Sequence, residues 1–341
     1  QYAIRDFEGM ISKGELTRLV VNLKPTIDKY NKNSQYGPLS FFEVYTALAF
    51  VYFKQKKVDF AVLETGLGGR LDATNVVKPL VCAITPISYE HTQRLGNTLR
   101  EIAREKAGII KVQSSCLSLP VRQAGKVQSS IVITAPQEKE AMEVIRNRCK
   151  EVGAKLYEIN SNRYPRFKMK LLGEHQQINA KVAVEVIKVL RFYGIKINRE
   201  TMRKGLYNTV WPGRCEVIFK NPLVVLDGAQ NVASATVLKG TIKENFQYKK
   251  LILVLGISND KDIKGVCNEL HDLADKIILT KANNPRATEP EVLAQSFDGK
   301  EAHKTKNVKE AQEVVKRIAK KEDLVLVTGS LFVVGEARKL F

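Results

Sequence analysis

The stretch Glu64-Thr65-Gly66-Leu67-Gly68-Gly69-Arg70-Leu71-Asp72-Ala73-Thr74-Asn75 sets three glycines within four positions, flanked by two carboxylates and a guanidinium. Glycine has no Cβ, so such a loop lets its backbone approach a ligand closely. In this setting Glu64 is a candidate metal or substrate contact, and Arg70 and Asp72 are candidate polar clamps. The plain alternative is a tight turn carrying solvated charges. Leu71 stands where a third glycine of G-x-G-x-x-G would fall, which argues against a dinucleotide fingerprint. His91, one of only four histidines, offers a neutral imidazole that could ligate a metal beside Glu64, or it is an ordinary loop histidine. Lys106, within Glu101 to Lys111, reads from chemistry alone as a solvated lysine on an amphipathic helix. Asn179 has an amide suited to a base or sugar edge, the alternative being a helix-surface asparagine. Arg214 and Asp227 could together hold nucleotide phosphate and ribose in an interdomain cleft, a favoured place for ligands.

These residues need a scaffold, and hydrophobic periodicity supplies one. A helix is expected near Lys13 to Lys29, then a polar loop from Asn31 to Pro38. A second helix is expected over Phe41 to Phe53, where Phe42, Tyr45, Ala49 and Phe53 recur at three- and four-residue spacing. Val58 to Leu63 is short, apolar and partly β-branched, as buried parallel strands are. The glycine-rich loop would then leave the carboxyl end of that strand, where open parallel sheets bind ligands. Leu80 to Thr85 and Ile131 to Thr134 read as further strands, with a helix over Thr98 to Ile110 and a long helix opening at Leu172 to Ala180. Val112 to Ser130 breaks the rhythm, repeats Val-Gln-Ser-Ser, and reads as a surface insertion. Beyond Trp211-Pro212-Gly213-Arg214 strands are expected at Leu223 to Leu226, Leu251 to Leu255, Lys276 to Leu279 and Leu324 to Val327. Helices fit Ala233 to Glu244, Asp262 to Ala274, Val308 to Ala319 and Leu331 to Leu340. Strands alternating with helices imply βαβ units and parallel sheets, hence an α/β chain with a boundary near Pro212-Gly213.

Composition narrows the class. A chain of 341 residues is longer than one core usually carries. No apolar run approaches the roughly 18 to 20 residues that span a bilayer, and the first residues lack the pattern of a secretory signal. The five cysteines are scattered without C-x-x-C spacing, which argues against a disulfide framework and a zinc site and for a reduced, cytoplasmic protein. The formal charge of +19 attracts polyanions. The basic residues are spread along the chain without interleaved stacking aromatics. The expectation is either a plain solvated basic surface or one that steers anionic substrates, with neither nucleic-acid nor membrane binding.

In this order the motifs resemble the folylpolyglutamate synthase/dihydrofolate synthase family, relatives of the Mur ligases. The matching segments are SFFEVYTALAF (Ser40 to Phe50), VDFAVLETGLGGRLDATNVV (Val58 to Val77), EHTQRLGNTLREIAREKAGIIK (Glu90 to Lys111), LLGEHQQINA (Leu171 to Ala180), WPGRCEV (Trp211 to Val217), LDGAQN (Leu226 to Asn231) and VTGSLFVVGEAR (Val327 to Arg338). The resemblance implies a Mur-ligase-type central ATP-binding domain over residues 1–213 and a smaller doubly wound, Rossmann-like C-terminal domain over 214–341. It implies an ATP- and magnesium-dependent amide ligase adding L-glutamate to dihydropteroate or a reduced folate through an acyl phosphate, acting as a monomer. Glu64 and His91 would be magnesium ligands, and Lys106 would be carried as a carbamate. Asn179, Arg214 and Asp227 would hold ATP. Ser40, Phe41, Phe42 and Glu43, with Leu71, Asp72 and Ala73, would line the pterin-side pocket. Gln230 and Ser330 would lie near the incoming amino acid.

The sequence also departs from that pattern. The P-loop that such a family carries, G-x-x-G-K-[ST], is absent: the only Gly-Lys pairs are Gly125-Lys126 and Gly299-Lys300, and neither precedes Ser or Thr. The expectation is that position 1 falls after the P-loop; the alternative is a related protein that has lost ATP chemistry and serves as a binding module. Gln230 stands where the family usually has histidine, and it cannot carry charge near neutral pH. A related ligase using another amino acid or acceptor is the corresponding alternative. Glu90 replaces a common aspartate before His91, a milder change.

Overall fold

A computed structural model describes residues 10–112, 130–297 and 299–341. In chain order the helices and strands are α1 (Lys13–Asn33), α2 (Phe41–Lys56), β1 (Val81–Ile84), α3 (Thr92–Leu95), α4 (Leu99–Ala107), β2 (Ile131–Thr134), α5 (Lys139–Glu151), β3 (Lys155–Glu158), α6 (Glu174–Val189) and α7 (Arg199–Asn208). They continue as β4 (Glu216–Lys220), β5 (Leu223–Leu226), α8 (Val232–Asn245), β6 (Leu251–Leu255), α9 (Ile263–His271), β7 (Lys276–Leu279), α10 (Pro290–Ala294), β8 (Ala302–Lys304), α11 (Val308–Ile318), β9 (Leu324–Thr328) and α12 (Leu331–Leu340). Short 3-10 turns lie at Ala73–Val76, Ser161–Arg163 and Leu190–Tyr193.

The helix starts are written locally. Ser12 with Glu15, Ser40 with Glu43, Thr98 with Glu101 and Asn231 with Ser234 each form a reciprocal capping box, which satisfies amide groups that no helical carbonyl can reach. α1 runs on to Asn33, past the expected end at Lys29, and crosses Pro25. It packs on α2 through a small satellite core of Leu19, Leu48 and Tyr52.

Two sheets organise the rest. The first is parallel, with order β1-β2-β3, and is covered on both faces. One face buries Ile102, Ala107 and Ile145 of α4 and α5 against Cys82, Ile84 and Val132. The other buries Val182 and Val189 of α6 and Tyr193 against Ile131 and Ile133. The second sheet has order β4-β5-β9-β6-β7-β8, all parallel except the β4–β5 pair. Its central strands alternate between two cores: Leu251, Leu253, Leu255, Leu324 and Leu326 face α8 and α9, while Ile252, Val254, Val325 and Val327 face α11 and α12. That alternation of fully buried side chains is what a doubly wound sheet requires.

The chain is therefore α/β with parallel sheets, and the C-terminal strands and helices fall where periodicity puts them. β3 and β8 carry too few apolar residues to announce themselves, and β4, with Val217, Ile218 and Phe219, is not among the expected strands. One expectation fails among the described residues. Val58 to Leu63 joins no ladder, and Phe60 and Val62 are 53% and 87% exposed instead of buried. A strand exists only with a hydrogen-bonded neighbour, which apolar content by itself does not provide. The insertion expected at Val112 to Ser130 lies, apart from its end residues, outside the described residues, as does Cys116. Cys82, Cys149, Cys215 and Cys267 are free and buried. No helix of the described residues is long and apolar enough to cross a membrane.

Leu253 is fully buried at the centre of the second sheet. Leu253→Ala is expected to lower stability by about 2–5 kcal/mol through lost burial and a residual cavity. Urea denaturation followed by the fluorescence of Trp211 would read the change, and an unshifted midpoint would contradict this placement.

Candidate active site

The glycine-rich loop is closed by its own aspartate. Asp72 Oδ2 accepts from the amides of Gly66 and Leu67 at 2.8 and 2.9 Å, while Oδ1 accepts from the amide and hydroxyl of Thr74 at 3.0 and 2.6 Å. The loop then lies against the last turn of α4. The Arg70 amide donates to Glu105 O at 2.8 Å, and the Arg70 guanidinium meets Glu105 Oε1 at 3.0 Å. Asn75 bridges Arg70 O and Gly108 O at 3.0 and 3.1 Å, and Lys111 donates to the carbonyls of Asn75 and Val77. A Cβ on Gly69 would sit 2.8 Å from Glu105 O and 2.9 Å from Lys106 O. The space Gly69 vacates is thus taken by helix backbone, and that at Gly66 and Gly68 by the side chains of Phe42 and Leu95, where the sequence suggested a ligand. Asp72, read as a ligand clamp, spends both oxygens on the loop.

This docking fixes Lys106. It is half-buried in the last turn of α4 and lies within electrostatic reach of His91. His91 holds left-handed backbone at φ 52°, caps α3, and has Nε2 3.5 Å from Glu90 Oε1. Burial pulls its imidazole below the ordinary 6.5; Glu90 opposes this, and Lys261 and Lys106 add to it. Lys261 and Asp260 come from the loop after β6, so this site draws on both sheets. Glu64 is exposed two residues before Gly66 and makes no hydrogen bond or ion pair among the described residues. No group of three or more His, Cys, Asp or Glu side chains arranged to hold a metal occurs among those residues.

A second cluster joins α6 to the end of β5. Gly173, at φ 98°, caps α6 and packs tightly beside Thr241 of α8 and the ring of His175. Asp227 is largely buried, its oxygens accepting from the amides of Cys215 and Ala229, each at 2.8 Å. Burial raises its carboxyl above the usual 3.8, while those two amides, Arg214 and His175 hold it down. His175 is lowered from 6.5 chiefly by burial, then by Arg214, with Asp227 opposing. Its Nδ1 is buried without a hydrogen-bond partner among the described residues. Arg214 and Asp227 are thus brought together as the sequence suggested. Asn179 stands one turn along α6 from His175, its amide 3.2 Å from Gln176 Oε1. Sequence reasoning passed over His175, although the i, i+4 spacing to Asn179 puts both on one helix face.

The remaining candidates fall at two further places. Ser40 and Glu43 form the capping box of α2, and hydrogen bonds from Ser40 lower the Glu43 carboxyl below its usual value. The Phe42 ring lies directly over Gly66, and Phe41 packs on Tyr45 with centroids 4.3 Å apart. With exposed Leu71, and Ala73 opening the following turn, they form an apolar ledge beside the glycine loop. Ser330 is buried at the end of β9 and caps α12, its Oγ accepting from Phe332 N at 3.1 Å. Gln230 is half-buried after β5; its amide donates to Ser234 Oγ at 3.1 Å, and its side chain has no partner among the described residues.

Two sheets with polar clusters at their carboxyl ends stand where open α/β folds bind ligands, and comparison with known proteins gives the family. The Mur ligase middle domain family matches residues 26–187, and the Mur ligase, glutamate ligase domain family matches residues 213–331. The dihydrofolate synthase/folylpolyglutamate synthase of Bacillus subtilis is 33% identical over 96% of this chain and 78% of its own length. A Mycobacterium tuberculosis folylpolyglutamate synthase, complexed with ADP and AMPPCP, superposes with a TM-score of 0.85 at 29% identity, over 97% of this chain and 79% of that one. A bifunctional folylpolyglutamate synthase/dihydrofolate synthase from Yersinia pestis, complexed with AMPPNP and Mn ion, gives 0.77 at 27% identity, over 96% and 76%. The chain belongs to the Mur ligase superfamily and, within it, to the dihydrofolate synthase/folylpolyglutamate synthase family.

Two outcomes are expected from this geometry. Gly69→Ala should push the loop off α4 at a cost of about 1–3 kcal/mol, as overpacking does. The Arg70 amide should then exchange hydrogen faster, and unchanged protection would contradict the contact. The second concerns pH. His91 and His175 both titrate below 6.5 in the fold, so the unfolded chain takes up their protons first on acidification. Their contribution to stability is complete above 6.5 and is lost as pH falls from there through the folded values. Melting temperature should drop over that window, and the drop should shrink in His175→Gln.

Proposed function

We propose that this protein is an ATP-dependent amide ligase that adds L-glutamate to dihydropteroate or a reduced folate. The observation that carries the reading is the convergence of the loop-docked Lys106 and His91 with Lys261 and Asp260 of the second sheet. A carboxylate does not form an amide directly at neutral pH, because oxide is a poor leaving group. The acceptor carboxylate oxygen attacks the terminal phosphorus of ATP, releasing ADP and leaving an acyl phosphate. The glutamate amine adds to that carbonyl, loses its proton, and expels inorganic phosphate. Catalysis of this kind is chiefly positioning and charge neutralisation.

The residues divide that work. Asp227, held by two backbone amides, and Arg214 would bind ribose and phosphate, with Asn179 at the base. Phe41, Phe42 and Leu71 present the apolar ledge suited to a pterin. Magnesium binds through one or two protein ligands, waters and substrate phosphates, so a dedicated cage is not needed. Glu64, with both oxygens open, and His91, kept neutral by burial, fit that donor set. When bound there the ion would neutralise phosphoryl charge. Lys106 as an ammonium would add a cation beside His91 and Lys261; as a carbamate it becomes an anion on the same stem. We place the division between the two units at 213/214, consistent with family matches that end at 187 and resume at 213. The protein would act as a monomer on small molecules.

The test supplies full-length protein with ATP, magnesium, glutamate and either dihydropteroate or tetrahydrofolate. Glutamate-dependent phosphate release is expected, and its absence with both acceptors would sink the reading. Lys106→Ala should lose about 100-fold or more in kcat, as removal of a transition-state contact does, and recover in part with added short carboxylates. An unimpaired Lys106→Ala enzyme would dismiss the carbamate role alone.

A further inference from the structure

The turn from Trp211 to Glu216 carries Arg214 between two left-handed residues, Gly213 at φ 72° and Cys215 at φ 45°. Such backbone is strained for a residue with a Cβ, so neighbours must hold Cys215 in it. Its amide donates to Asp227 Oδ2 at 2.8 Å. Gly228 N donates to Gly213 O at 2.9 Å, and Gly213 N donates to Glu216 Oε2 at 2.9 Å. The turn is thereby laced to the end of β5 on one side and to its own glutamate on the other.

Glu216 is braced in turn from far along the chain. Arg338 Nε, 122 residues on, donates to Glu216 Oε1 and Oε2 at 3.0 and 3.1 Å. Leu331, Val334 and Arg338 form one stripe of α12, at i, i+3 and i+7. The stripe lies along the turn: Leu331 presses on Gly228, and a Cβ on Gly213 would stand 3.0 Å from Val334 Cγ1. Arg214 itself is left open. Its guanidinium crosses Gly228, where a Cβ would stand 3.0 Å from Nη1, and its donors meet no acceptor among the described residues. A long side chain with open donors binds tightly only when its stem is aimed beforehand, since ordering it on binding costs affinity.

We infer that Glu216, braced by Arg338, is a positioning residue that aims the Arg214 guanidinium at the nucleotide phosphates. This rests on the nucleotide-binding part of the ligase reading and deepens it: both residues act through the turn and need not touch the nucleotide. The exposures decide where the effect appears. Arg338 is 51% exposed and Glu216 15%, so water screens the ion pair and its share of stability is small. Its geometric share is larger. Without the carboxylate Gly213 N loses its acceptor, the turn relaxes from the strained Cys215 backbone, and the Arg214 stem swings. A forked contact between guanidinium and phosphate tolerates little misplacement of that kind.

The experiment measures the ATP KM by steady-state kinetics on full-length protein, and ADP affinity by calorimetry. Glu216→Ala should raise the ATP KM by about 10-fold, with the glutamate and folate KM values within about twofold of wild type. Arg338→Gln should raise it by about threefold with the melting temperature little changed, and Arg338→Lys should recover part of the loss. In an Arg214→Gln background, Glu216→Ala should change the ATP KM by less than about twofold, because the guanidinium it aims is gone. ADP affinity should follow the ATP KM through the series. If Glu216→Ala does not fold, Arg338→Gln in the two backgrounds reads the same coupling. An unchanged ATP KM, an equal rise in every KM, or effects that multiply in the double variant each overturn the inference and leave the ligase reading intact. A wild-type protein that neither turns over nor binds ADP overturns the ligase reading and takes this inference with it.

Discussion

The seating of the glycine-rich loop on the last turn of α4 is the contact on which the site depends. Where Gly69 meets the carbonyls of Glu105 and Lys106 there is no room for a methyl group, and the Arg70 amide closes the gap by bonding Glu105 O. Close backbone approach of this kind is available only to glycine. One contact therefore sets the height of Lys106, the direction of the chain towards the Phe42 ledge, and the start of the turn that Asp72 closes. Each of those features is weak by itself. Together they hold an exposed loop without a large core of its own, because Asp72, Thr74, Arg70 and Asn75 bond within it or to α4 and its C-terminal turn.

The second sheet solves a different problem. Its central strands bury side chains on both faces, so its carboxyl edge is rigid and can present loops at fixed positions. Asp227 shows how the edge is used. Its carboxylate would be costly to bury if it were not met by the Cys215 and Ala229 amides and by Arg214. His175 reaches the same cluster from α6, which ties Asp227 and Arg214 to both halves of the chain. Interdomain sites gain from this arrangement, since closure of the halves brings charges together only when the ligand is in place.

Much of the architecture was legible in the sequence, and the pattern of success has a cause. Runs such as Leu251 to Leu255 and Leu324 to Val327 are apolar at every position, which only a strand buried on both faces tolerates. The first begins and ends where expected, and the second runs one residue further, to Thr328. Val58 to Leu63, apolar but for Asp59, forms no ladder among the described residues. Its status turns on a neighbour, and a neighbour is not encoded in six residues. β8, Ala302 to Lys304, is a short polar edge strand and looks like a loop, whereas the other edge, β4, carries an apolar run of Val217, Ile218 and Phe219 that sequence reading passed over.

The candidate site divides in the same way. The sequence alone determined which chemistry was on offer: a glycine-rich loop between carboxylates, a scarce histidine, a lysine on a helix end, and an Arg-Asp pair astride a boundary. Local physics fixed the capping boxes and the alternating strands as well, because these involve residues a few positions apart. Only the tertiary structure decided that Gly69 faces α4, that Asp72 serves the loop, that His175 joins Arg214 and Asp227, and that Lys261 and Asp260 come within electrostatic reach of His91. Those outcomes depend on which surfaces meet across tens to hundreds of residues. Packing selects such meetings through shape and desolvation, neither of which is carried by the spacing of residue types.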